Sequence, residues 1–133
     1  MIEMQEVIEE ILKGMKRKYR GVLEVERLTK ELADILSAGD RESVQLLLNM
    51  RQTEIERVGD EHYALREIVG ALDSGNREYI ASLMNGEKQS NQVSESEQKI
   101  VQMAVQTRNV LERIIAVDKV LSRKLAGKDS YYQ

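Results

Sequence analysis

Val44, Leu48, Arg51, Ile55, Val58, His62, Leu65, Val69 and Leu72 follow one another at steps of four and three without a slip. Residues at that spacing lie along one side of an α-helix, whereas a half-buried strand would alternate at every second position. Only Arg51 and His62 interrupt the apolar seam. A seam this narrow predicts a helix of about 30 residues packed in coiled-coil fashion against one neighbouring helix. No proline occurs in the 133 residues, so the strongest helix breaker is missing throughout.

The partner is upstream. Met4, Ile8, Ile11, Met15, Lys18, Val22, Val25, Thr29, Leu32 and Leu36 repeat the same steps, and Leu12, Tyr19, Leu28 and Ile35 widen that stripe. The pattern predicts an amphipathic helix of roughly 35 residues, about 50 Å long. Gly14 and Gly21 lie inside it, each unfavourable by about 1 kcal/mol relative to Ala, which predicts a looser half there. Gly39 supplies a left-handed stop and Asp40 a cap for the next helix, so the two long helices should form an antiparallel hairpin.

A similar junction stands at Asp73-Ser74-Gly75-Asn76. At an offset of 36 residues Gly39-Asp40-Arg41-Glu42 overlies Gly75-Asn76-Arg77-Glu78, either as an internal duplication or as two junctions meeting one capping requirement. A short third helix is expected over Arg77–Met84, ending at Asn85-Gly86. The polar stretch 85–93 reads as a flexible loop. Ser94 and Glu97, at capping-box spacing, open a last helix that runs to about Leu125, and 127–133 is a tail. The expected fold is all-α and a single domain over 1–133: an elongated antiparallel hairpin, a short third helix and a long C-terminal helix.

Chemistry has little to use. Twenty Lys and Arg against 23 Asp and Glu give a net charge of −3, which speaks against a nucleic-acid partner. Cys is absent and His62 is the single histidine, so Cys-His pairs and multi-histidine metal sites are excluded. His62 reads as a packing or register residue of the seam. Neither a metal site, a cofactor nor an enzymatic activity is expected. The run Lys13–Arg20 is the densest basic stretch, but glutamates flank it, and it reads as a solvated face. The N-terminus is acidic and no apolar run exceeds four residues, so neither a signal peptide nor membrane insertion is expected.

The last helix carries more apolar surface than one neighbour can cover. Ile100, Ala104, Leu111, Ile114, Leu121 and Leu125 read first as core, while Met103, Val110 and Val117 form a second stripe that is either core or a groove for an amphipathic helix. A partner laid along this helix would meet Met103, Val110, Ile114, Val117 and Leu121. Self-association through the same stripes, as a structural coiled-coil protein or a helical adaptor, is the other reading.

The segment LTKELADILSAGDRESVQLLL from Leu28 to Leu48, continuing through Asn49-Met50-Arg51-Gln52, resembles the helix, Gly-Asp, helix pattern of flagellar export chaperones of the FlgN type. Arg108-Asn109-Val110-Leu111, followed by Leu121, Gly127 and Tyr131, is similar to that family's C-terminal stretch. The resemblance implies a cytoplasmic chaperone that binds helical C-terminal segments of hook-associated proteins and delivers them to the type III export gate. Tyr131 would be the residue that docks to the export machinery.

Overall fold

The computed structural model describes residues 3–87, 89 and 93–132, with side chains as far as Leu125. It contains four helices and, among the described residues, no strand: α1 (Met4–Ala38), α2 (Arg41–Gly70), α3 (Ser74–Met84) and α4 (Glu95–Tyr132). The junctions follow from local chemistry. Gly39, at φ 79°, takes the left-handed conformation that ends α1, and its N–H reaches Leu36 O. Asp40 caps α2 by accepting from Ser43 N at 3.1 Å, and Asp73 caps α3 by accepting from Asn76 N at 3.0 Å. Gly86, at φ 78°, follows the end of α3, and Ser94 accepts from Glu97 N to start α4.

Three expectations are corrected. Helix α3 begins at Ser74 because Asp73, not Asn76, is its cap. Gly75 therefore lies inside α3 without a positive φ, whereas Gly39 stops a helix, so the 36-residue echo pairs residues with different tasks. Helix α4 does not end near Leu125 but continues to Tyr132, through most of the expected tail. Of the expected loop, Lys88 and 90–92 lie outside the described residues.

Helix α1 is the spine. Against it α2 runs antiparallel, with Arg17 meeting Glu61, Thr29 meeting Arg51 and Gly14 lying under Leu65. Helix α4 runs parallel to α1, since Glu26 meets Arg113 and Ser37 meets Lys124, both 87 residues apart. One core cluster joins Val7, Ile8, Ile11, Leu12 and Met15 to Leu65, Ile80, Leu83, Ile100 and Ala104. A second joins Val22 and Val25 to Val110 and Ile114, and a third joins Leu28, Leu32 and Leu36 to Leu47 and Leu121. Each fully buried aliphatic side chain contributes on the order of 1.5–3 kcal/mol, so α1, which supplies residues to every cluster, holds the other helices together.

The half of α1 that carries Gly14 and Gly21 is closely packed, not loose. A Cβ on Gly14 would stand 2.6 Å from Leu65 Cδ2, and one on Gly21 2.6 Å from Val58 Cγ2. The glycines are the places where α2 side chains press onto the α1 backbone. No helix among the described residues is long and apolar enough to cross a membrane.

Candidate partner-binding surface

The helices pack in a ring. Helix α1 packs against α2 and α4, and α3 packs against the same two from the opposite side, while α2 and α4 make no extensive contact with each other. This is a four-helix arrangement in which α3 takes the fourth corner, diagonal to α1. Ile80 and Leu83 are fully buried there over Ile11, Leu65 and Ile100. Tyr79 donates to Glu97, burial and that bond raising the phenol to about 12, and Arg108 donates to Asn85 O, so α3 runs parallel to α4.

But α3 is short. With 11 residues it covers about 16 Å, against about 52 Å for the 35 residues of α1. A Cβ on Gly86 would lie 3.1 Å from Val105, and the offset of 87 residues puts Val105 level with Lys18. Beyond that level no helix among the described residues occupies the fourth corner.

Two polar layers bound the opening. At one end Lys18 Nζ approaches His62 Nδ1 at 3.1 Å. At the other, Arg51 donates to Thr29 Oγ1 at 2.9 Å and to Asp118 at 2.6 Å, joining α1, α2 and α4 in one polar contact. Thr29, buried, passes its own hydrogen on to Val25 O at 2.6 Å. Ile55 lies on the α2 stripe between Arg51 and His62, one turn from the first and two from the second. Leu111 and Ile115 lie on α4 within two turns before Asp118. Helical periodicity therefore puts them along the two walls of the opening. They remain 37%, 39% and 53% exposed, which is the sign of an apolar corner without a cover.

The residues expected to meet a partner are placed differently. Val110, Ile114 and Leu121 are buried against α1, and Met103 and Val117 are half-buried beside the same core. The five form the face by which α4 sits on α1. Leu111, expected in the core, is instead on the wall of the opening. The side chain of Tyr131 lies outside the described residues. Leu111 reads as core in the sequence because a wide stripe does not show which of its margins a neighbour covers.

Electrostatics divide the surface further. Of the basic run, Lys13 pairs with Glu10 and Arg17 with Glu61, and the open cleft of about 450 Å³ that Arg17 and Arg20 line also holds Glu24, Glu54 and Glu61. That side neutralises itself. Glu26, one of the glutamates that flank the basic run, is buried and accepts from Arg113 Nε at 2.7 Å, which keeps its carboxyl below the usual range. Lys18 differs: burial lowers its pKa, and the ring beside it is lowered by desolvation and then by the charges of Lys18 and Arg66. Among the described residues no three His, Asp or Glu come together as metal ligands. Compared with family models, with curated proteins and with solved structures, the chain matches none of them.

Proposed function

We propose that this protein is a non-enzymatic cytoplasmic chaperone that binds amphipathic helical C-terminal segments of hook-associated proteins and hands them to the flagellar type III export machinery. The observation that supports binding is the open fourth corner, where Ile55, Leu111 and Ile115 face water along a channel that α3 fills only at one end. A helix is the natural cover, because α3 already shows how this corner buries one. The flagellar client rests on the resemblance of Leu28–Leu48 and of the stretch from Arg108 to Tyr131. In this reading Met103, Val110, Ile114, Val117 and Leu121 act from beneath, holding α4 at the height where its margin meets the client.

Titration with synthetic C-terminal segments of hook-associated proteins, followed by calorimetry, tests the proposal. Micromolar binding is expected, weakened at least tenfold by Leu111→Asp with the far-UV helical signal intact. Absence of binding by any such segment would remove the client class.

Self-association is the second reading, favoured by Leu46 and Met50, one turn apart on α2 and 60% and 43% exposed. Light scattering separates the two. A dimer that Leu46→Glu converts to monomer, and that a client segment leaves intact, would favour the structural role.

A further inference from the structure

We infer that the open corner between α2 and α4 takes a helix of about three turns that carries carboxylates at the end lying against Lys18, His62 and Arg66. The inference deepens the helix-binding reading by stating which end of the ligand lies where and what charge it carries.

Length comes first. The opening runs from the Lys18–His62 layer to the Thr29–Arg51–Asp118 layer, which is eleven residues of α1 or about 16 Å, three helical turns. Its far end is barred by the ion pair between Arg51 and Asp118, which joins the walls. Its near end abuts the C-terminus of α3, where Gly86 turns the chain away.

Charge decides the rest. Lys18 from α1 and His62 from α2 meet at 3.1 Å, and Arg66, one turn further on α2, is close enough to bear on the ring. Among the described residues neither Lys18 nor Arg66 has a carboxylate within ion-pair distance, whereas Arg17, Arg51 and Arg113 each meet one on a neighbouring helix. The end of α3 does not supply the missing partner, because Arg108 from α4 already donates to Asn85 O. Lys18 donates to the His62 ring, whose lowered pKa favours the neutral form, so the layer carries the positive charge of Lys18 with that of Arg66 beside it. Partly dehydrating such charge is unfavourable without an anion, and half-buried charge-assisted bonds are stronger than exposed ones. An entering helix whose last turn bears Glu, Asp or a free α-carboxylate supplies that anion. Its C-terminal dipole adds to the attraction, which sets its direction antiparallel to α3. Its apolar side then rests on Ile55, Leu111 and Ile115.

The chain has no cysteine, so a single Ile55→Cys substitution carries one environment-sensitive fluorophore in the corner. The probes are two designed 11-residue amphipathic helices with the same Leu-rich face, one ending in three Glu and a free carboxylate, the other in three Lys and an amide. The acidic peptide is expected to shift the label's emission and to bind at least tenfold more tightly at low salt. Lys18→Glu combined with Arg66→Glu should reverse the order, and thermal melting of that variant establishes that it is folded. Equal binding of both peptides, or binding that leaves the label unchanged, would overturn the inference. Binding of hook-associated segments that is indifferent to the charge reversal but lost with Leu111→Asp would overturn the charge assignment and leave the chaperone reading standing. If the acidic peptide binds as described and no hook-associated segment does, the corner stands and its flagellar client falls.

Discussion

Gly14 and Gly21 show how the same residue, at the same spacing, answers to different neighbours. Replacing glycine by alanine in a helix interior stabilises by about 1 kcal/mol when space allows. At Gly14 the added Cβ meets both Cδ2 and Cγ of Leu65, a side chain that is itself 2% exposed and has nowhere to go. At Gly21 it meets one methyl of half-buried Val58, which can turn outward. Overpacking a filled site costs about 1–3 kcal/mol. Gly14→Ala should therefore lower stability by roughly 1 kcal/mol in urea melts, and Gly21→Ala should change it by less than about half of that. Neighbouring residues on α4 offer a sharper contrast. Val110 is 2% exposed and Leu111 39%. Val110→Asp buries a charge without a partner and should unfold much of the chain, by about 3 kcal/mol or more. Leu111→Asp should leave the melting temperature within a few degrees, and circular dichroism distinguishes the two.

At the scale of the element, the caps explain where helices begin and how they respond to acid. The side chain and backbone N–H of Ser43 hold the Asp40 carboxyl below its ordinary 3.8, and the backbone and side chain of Asn76 do the same for Asp73. Each folded-state pKa is thus depressed, so the unfolded chain binds more protons in the window below 3.8. The stability these caps contribute is present above that value and is lost as the pH falls through the folded one. Asp40→Asn keeps an acceptor but cannot titrate, and should flatten the fall in melting temperature between pH 4 and 2 relative to the parent chain. A variant that melts along the same pH curve as the parent would show that the cap does not set this slope. Capping signals of this kind were legible in the sequence at Gly39-Asp40 and Ser94, because they act within four residues. The start of α3 was misplaced by three residues because Asp73 and Asn76 are both competent caps, and the choice between them is made where Ile80 and Leu83 are drawn into the core.

The whole molecule is held in register by polar contacts at a distance in sequence. Arg51 and Asp118 are 67 residues apart and partly exposed, 18% and 38% by side chain, so their pairing is discounted for solvent and should contribute about 0.5–1 kcal/mol in a double-mutant cycle. Its larger effect is geometric. With Arg51→Met and Asp118→Ala together, α4 loses this polar link to α2, and amide exchange in α4 near Leu111 to Leu121 should accelerate while α1 and α2 stay protected. Unchanged exchange there would mean that packing on α1 alone holds α4.

Local signals determined much of this protein: helices without proline to break them, the 4-3 spacing that made α1 and α2 a hairpin, and the glycine and aspartate that join them. Those features follow from backbone sterics and one-face burial, which act over a few residues. Tertiary structure decided that α4 runs parallel to α1, that Val110 faces inward while Leu111 looks out, and that Glu26 is buried with Arg113. It also decided that α3 fills one end of the fourth corner and leaves Lys18, His62 and Ile55 at the other. A stripe of apolar residues shows that a helix face wants cover, but which margin receives it depends on the lengths and directions of helices far away in the chain.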